Sequence, residues 1–384
     1  MWLYILLYII VTVAYMQTID HDRYSPKLLA YLLLMLALFV GCSDMLGGYD
    51  RYIYCDLFDG TANTIRNGGN PFNGVLFTLY YNEKGWGILN VIIGYVTANR
   101  YIFILIVTLL MYTLLFISLM KYTNRSPFAI LVFMGLWFFF TFTYLRQVLA
   151  ATVVWLAIDY AIKRKPIPFF LIVILGYTIH NSALAFAIVY FLPRTKVAWG
   201  LALPVIFACF LAGLSGLPEV VFGGVIDAMQ IESRAGDVTD MMEGNSFRFA
   251  YLLEVVAFLA FISARYDDID DNDPKQGILV NIAFIFCCVL MFFVRSENGG
   301  RIGWIFMIGV IATLSNLATN RRDFTAYNIA AFVMFTLLYL RVLTAWGGLL
   351  SPYKSFFTDG HRPGDQIYQV YEYDPKYDDD KFYR

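Results

Sequence analysis

The chain has 384 residues, of which 59% are hydrophobic and only 15% charged, with a mean hydropathy of +0.62. A soluble domain carries about 25% charged residues, so the composition excludes a water-soluble globule and points to a polytopic membrane protein. A formal net charge of −1 offers no electrostatic footprint for nucleic acid. Aromatics at 18% suit lipid-facing and interfacial positions.

A spanning helix needs about 20 mainly apolar residues. The first candidate, 1–17, lacks a basic leading segment and a small-residue cleavage site, so it is expected to be a retained helix rather than a removed signal peptide. A second span is expected at 28–43. An outer segment, 44–100, follows, with Tyr49, Asp50, Arg51 and Tyr52, then Glu83, Lys84, Gly85 and Trp86, and a short apolar stretch at 86–98. Further spans are expected at 101–120, 127–144, 147–162, 197–213, 247–263, 277–294, 302–318 and 324–343. The run 167–192 is interrupted at His180, Asn181 and Ser182. At about 1.5 Å of rise per residue neither piece makes a straight crossing.

Basic residues collect in short turns at Arg23/Lys27, Lys121/Arg125, 163–165, Arg194/Lys196, Arg265/Lys275 and Arg321/Arg322. All six turns share the cytoplasmic face if 86–98 dips in and returns and 167–192 is a broken pair of half-helices. One long tilted helix over 167–192 is the alternative, and would reverse everything downstream. The segments 44–100, 214–246 and 344–384 then face outside. The expected fold is an all-α polytopic membrane protein of about 10–12 transmembrane helices, with re-entrant or broken helices and large outer loops. It comprises one membrane domain, 1–350, and a polar Tyr- and Asp-rich tail, 351–384. No internal repeat is evident, which counts against an inverted-repeat transporter.

Arg146 stands out. Between Arg125 and Lys163 the only charged residues are Arg146 and Asp159, in the run FAILVFMGLWFFFTFTYLRQVLAATVVWLAIDYAI. A guanidinium cannot shed its charge, and placing one at bilayer depth costs about 2.5–3.5 kcal/mol. His180 marks the interrupted run, Arg248 begins a span, and Arg295 and Arg301 bracket the loop RSENGGR. Several guanidiniums near an outer membrane surface suit a phosphate or diphosphate, which arginine grips bidentately. Each residue has a plainer alternative: Arg248 and Arg341 snorkel at span ends, Arg295 and Arg301 cap helices or pair with Glu297, His180 is a satisfied buried histidine, and Asp159 sits beside a basic turn.

Other patterns carry no chemistry. The acidic turn RYDDIDDNDPK fails as a calcium loop, with Asp273 where glycine is needed and Leu279 where glutamate is. His21, His180 and His361 are too dispersed for zinc. Cys42, Cys55, Cys209, Cys287 and Cys288 form no Cys-x-x-Cys pair; Cys42 and Cys55 are candidates for a disulfide that spacing alone does not establish.

An ordered series of segments resembles the EpsG family of bacterial Wzy-type polysaccharide polymerases: YDRYIYCDLF, EKGWGILNVIIGYV, TYLRQVLAATVVWLAIDYAIKRK, IHNSALAFAIVYFLP, NGGRIGWIF and SPYKSF, spread over 49–357. The resemblance implies a polymerase on the outer face of the bacterial inner membrane. It would join repeat units carried on undecaprenyl diphosphate into O-antigen, capsule or exopolysaccharide, with no cofactor and no metal. Its partners would be the lipid-linked glycan, the bilayer, a chain-length regulator and a flippase. On that reading Arg146, with Arg295 or Arg301, holds the leaving diphosphate. His180, ahead of Glu83 and Asp50, accepts the proton, and Gln147, Asn181 and Arg248 contribute to substrate binding. A ligase, a flippase or exporter of lipid-linked oligosaccharide, and a membrane O-acyltransferase remain open alternatives.

Overall fold

The computed structural model describes residues 1–18, 25–124, 126–221, 247–296, 299–318 and 325–358. His21, Arg23, Arg125, Glu297, Arg321, Arg322, most of the outer segment 214–246 and the tail beyond 358 lie outside the described residues. Among the described residues the fold is helical, with one isolated antiparallel bridge between Ser43 and Ser355.

Helices α1 (Trp2–Thr18) and α2 (Pro26–Gly41) precede three helices of the outer segment, α3 (Tyr49–Arg66), α4 (Val75–Leu79) and α5 (Lys84–Val96). Next come α6 (Arg100–Tyr122), α7 (Ser126–Leu136), a 3-10 stretch Phe138–Phe142, α8 (Leu145–Trp155) and α9 (Ile158–Ile162). Helix α10 (Pro166–Ile179) is followed by the 3-10 segment Asn181–Phe191, then α11 (Trp199–Leu214), α12 (Phe249–Ala264) and α13 (Pro274–Phe292). A 3-10 stretch, Gly299–Phe306, leads into α14 (Met307–Leu317), and α15 (Ala326–Ala345) and α16 (Gly347–Leu350) follow. Starts are written locally: the Asn99 side chain accepts from the amides of Tyr101 and Ile102 at 2.9 and 3.2 Å, opening α6. Asp273 caps α13 with Pro274 at its first position.

Among the described residues five stretches are long and apolar enough to cross a membrane: Arg100–Tyr122, Leu145–Ile162, Pro274–Phe292, Gly299–Leu317 and Ala326–Ala345. Helices α1, α2, α7, α10, α11 and α12 are apolar but shorter. The expected all-α polytopic class is thus the observed one. The run 167–192 is broken at His180, as the half-helix reading required. The stretch 127–144 differs from a single helix. Its α-helical part stops at Leu136, and the aromatic run beyond tightens into 3-10 turns. Bulky rings lose rotamer freedom against the preceding helical turn, and here Phe139 packs on Tyr339 at 4.9 Å between centroids instead.

The chain forms two compact units. The first comprises Met1–Leu156, Phe170–Leu184 and Ala318–Arg384; the second comprises Ala157–Phe169 and Ala185–Leu317. In the first, α6 packs against both α2 and α8, and α7 against α1 and α15. Every residue of α8 is buried. Meanwhile α1 exposes Ile5, Leu6, Ile9 and Val13, and α15 exposes Ile329, Val333 and Leu337. Apolar side chains on both the inner and outer faces are what a lipid-facing helix needs. In the second unit α13 packs against α11, α12 and α14. All five cysteines are free thiols, Cys42 and Cys55 included.

A buried arginine organises one end of the first unit. Arg51 of α3 donates through Nη1 to Ser43 Oγ (3.0 Å), Leu46 O (3.1 Å) and Phe142 O (3.3 Å). Through Nη2 it donates to Val40 O (3.2 Å) and Ser43 O (3.1 Å). The loop held in this way receives the start of the tail: the Asp44 amide donates to Lys354 O, and Lys354 pairs with Asp44 at 3.5 Å, both buried. Tyr353 stacks on Phe39 at 4.1 Å and donates to the Phe39 carbonyl. Residues 351–358 are therefore a docked strap. Arg51→Met removes the donor shared by these buried acceptors, and should destabilise the detergent-purified protein by about 3 kcal/mol in thermal unfolding, with Arg51→Lys recovering only part.

Candidate functional site

Arg146 occupies the second position of α8, after the Tyr144 cap, and is only 8% exposed. A cation there is disfavoured twice, by burial and by the positive end of the helix dipole. The offset is the Glu83 carboxylate, whose Oε2 accepts from Arg146 Nη1 in a buried ion pair. Two rings complete the cradle: the guanidinium carbon lies 3.9 Å from the Tyr80 centroid and 5.3 Å from that of Tyr54. Cation–π contacts of this kind strengthen when desolvated.

Glu83 reaches this position through a turn and a close approach. Its amide donates to Tyr80 O at 2.9 Å, so residues 80–83 fold back and bring ring and carboxylate to one guanidinium. Glu83 then caps α5, and Gly85 lies so tightly on Thr178 of α10 that a Cβ would collide with that side chain. Gly176 in turn lets α10 close on Val154 of α8. The end of α10 is thereby pressed against both Glu83 and the helix bearing Arg146.

At that end the chain breaks. Freed from helical partners, the Asn181 amide donates to Glu83 Oε1 at 3.0 Å. The Ser182 amide donates to His180 Nδ1 at 3.2 Å, with Ser182 Oγ at 2.8 Å from the same nitrogen. Since Nδ1 accepts an amide hydrogen, the neutral ring carries its proton on Nε2. Two buried polar atoms here have no hydrogen-bond partner, Arg146 Nε and Asn181 Oδ1. Such atoms cost about 1–3 kcal/mol each unless something meets them.

Of the residues expected to act together, Arg146, Glu83, His180 and Asn181 thus converge within the first unit. Gln147 is buried directly after Arg146. Asp50 is half-buried on α3, one turn before Tyr54 and within electrostatic range of it. Burial raises the Tyr54 phenol above its ordinary range, with the Arg146 guanidinium opposing, so it stays neutral. Arg248, Arg295 and Arg301 belong to the second unit. There the Arg248 amide bonds Val294 O at 2.7 Å, placing it beside Arg295, whose Nη1 caps Leu214 O at 3.1 Å. Tyr54, Tyr80 and Ser182 were not expected at the site. Each lies within one helical turn of an expected residue, Tyr54 four after Asp50, Tyr80 three before Glu83 and Ser182 two after His180, but in a chain with 28 tyrosines that spacing singles out neither ring.

Among the described residues no group of His, Cys, Asp and Glu is arranged to hold a metal ion. Against known families, the model of the EpsG family matches residues 27–355, most of the chain. The chain belongs to the EpsG family. It is accordingly a multi-pass membrane protein of polysaccharide-polymerase type. The match in this EpsG-family protein spans Tyr54, Glu83, Arg146 and His180, and ends at Ser355, the strap residue bridged to Ser43. Comparison with curated proteins and with solved structures gives no match.

The buried pair makes a thermodynamic prediction. Arg146→Met or Glu83→Met alone strands a charge and should cost about 3–5 kcal/mol. The double variant should cost clearly less than the sum, with a coupling above about 1 kcal/mol in detergent unfolding. Additive effects would show that the two side chains do not meet.

Proposed function

We propose that this protein polymerises oligosaccharide repeat units carried on undecaprenyl diphosphate, at the outer face of a bacterial inner membrane. The observation that carries this reading is Arg146, a permanent cation in an apolar stretch, at the positive end of α8, held by the Glu83 carboxylate beside a helix break. A guanidinium matches phosphate oxygens and does not deprotonate. As the anomeric carbon of the growing chain parts from its lipid, the leaving diphosphate gains negative charge. A preorganised cation aimed there lowers the barrier. The acceptor hydroxyl loses its proton as its oxygen bonds to the anomeric carbon. In its neutral tautomer His180 presents an Nε2–H donor, which suits holding a phosphate or sugar oxygen better than taking a proton. Glu83 and Asp50, the carboxylates expected to take that proton, both belong to the same unit as Arg146.

The test is the glycan profile of a strain lacking the protein. The polymer ladder should collapse to single repeat units, and wild type should restore it. Arg146→Ala should lose about 100- to 1,000-fold in polymer, and Arg146→Lys should not substitute, because an ammonium lacks the planar fork. Lipid-linked units trapped inside, with none at the outer face, would identify an exporter instead and overturn the reading.

A further inference from the structure

Two donors that suit a phosphate oxygen converge on one point in the first unit: Arg146 Nη1 and the Asn181 amide, which opens the 11-residue segment Asn181–Phe191. What sits at that point is a carboxylate of the chain itself. Glu83 gives one oxygen to each donor and is 1% exposed. Backbone amides at a helical start and a guanidinium together make an anion site. The site is incompletely used, since the Arg146 Nε donor is buried beside it without a partner. Arg146 itself is more than nine-tenths buried. A carboxylate has two oxygens to offer, whereas a diphosphate has more acceptors and more charge.

Resting on the function proposed above, we propose that Glu83 is a resident anion in a prenyl-diphosphate site. The substrate diphosphate takes over its contacts with Arg146 and the Asn181 amide. The released carboxylate then becomes the proton acceptor for the incoming sugar hydroxyl. While it is bonded to Arg146 and to the Asn181 amide, both oxygens of Glu83 are engaged and buried, out of reach of a sugar hydroxyl. When the diphosphate arrives, arginine and amide turn to the phosphate and the carboxylate is exposed to the acceptor. The hydroxyl gives its proton to Glu83 and its oxygen bonds to the anomeric carbon. The bond from that carbon to the phosphate oxygen breaks, and its electron pair leaves on the lipid diphosphate. Activation of the base is thus tied to occupancy of the donor site.

The signature is tighter binding without turnover. Full-length protein in detergent is titrated with farnesyl diphosphate, and wild type, Glu83→Gln and Arg146→Ala are compared, with melting curves for each. If the carboxylate occupies the site in about nine molecules of ten, Glu83→Gln should bind about tenfold more tightly than wild type, yet restore no polymer in the deletion strain. Arg146→Ala should lose binding. Should Glu83→Gln unfold, Glu83→Asp serves: its shortened carboxylate competes less well, so binding should again tighten, now with residual polymerisation. Binding unchanged or weaker in a folded Glu83 variant overturns the displacement, while the loss in Arg146→Ala leaves the functional reading standing. If instead wild type and Arg146→Ala bind alike, the functional reading fails first. Inorganic pyrophosphate, run alongside, separates a free-phosphate site from a lipid-headgroup site. Tightening on either probe supports displacement, and tightening on neither overturns it.

Discussion

A guanidinium that cannot lose its charge, set among apolar helices, obliges the chain to bring an anion to it. Much of the first unit follows from that demand. The anion comes from the segment between α4 and α5, since α8 and its flanking apolar runs contain no carboxylate near Arg146. Delivering it requires the fold-back of residues 80–83 and a bare backbone at Gly85 against Thr178. One carboxylate oxygen would still lack a donor if α10 ran on as a regular helix, because helical amides are spent on the carbonyls four residues back. The break after Ile179 releases the Asn181 amide and supplies the donor. Helix break, turn and close approach serve one ion pair.

The second unit meets its charges differently. There three long cations reach carbonyls near helix ends, where acceptors go unmatched and the dipole is negative, two of them beside an exposed aspartate as well. Arg164 donates to Tyr190 O and Leu192 O, closing the segment Asn181–Phe191. Lys196 donates to Tyr266 O and Ile269 O at 3.1 and 2.8 Å, and Arg265 to Leu317 O at 3.1 Å. Asn281, buried within α13, bonds Pro193 O, Thr195 O and the Val197 amide, fixing the turn that carries Lys196. These basic residues of the short turns therefore also bond carbonyls at the ends of other elements.

How far the sequence could be read tracks where each signal lies. Spans, the break at His180 and the isolation of Arg146 are properties of composition along the chain, and they were legible. Glu83 was legible as a motif residue, but not as the partner of Arg146, because 63 residues separate them and only tertiary packing joins them. Tyr54 and Tyr80 were hidden for the same reason: an aromatic in an aromatic-rich chain announces no direction. The aromatic run after Leu136 read as helix by hydropathy alone, which does not register that its rings pack better from 3-10 turns. The strap was hidden in another way. Polar residues such as Lys354 predict solvent, and its burial depends on Asp44, more than 300 positions earlier.

Two buried arginines of one unit show what separates a structural cation from a candidate functional one. Burial does not do so, since Arg51 is the more buried of the two. Nor does an unpartnered Nε, which both have. The difference lies in the acceptors. Arg51 is gripped by four backbone carbonyls and a serine hydroxyl, groups fixed by the secondary structure that carries them, so no ligand can displace them without unfolding the loop. Arg146 is held by the end of one side chain and by the faces of two rings. A carboxylate can swing aside by rotating its own bonds at a cost of rotamer energy rather than of backbone order, and the rings keep the guanidinium in place while it does. Exchangeable acceptors around a fixed cation are what an anion-binding step requires. Of these two arginines, Arg146 has that arrangement, and Arg51 is built to prevent it.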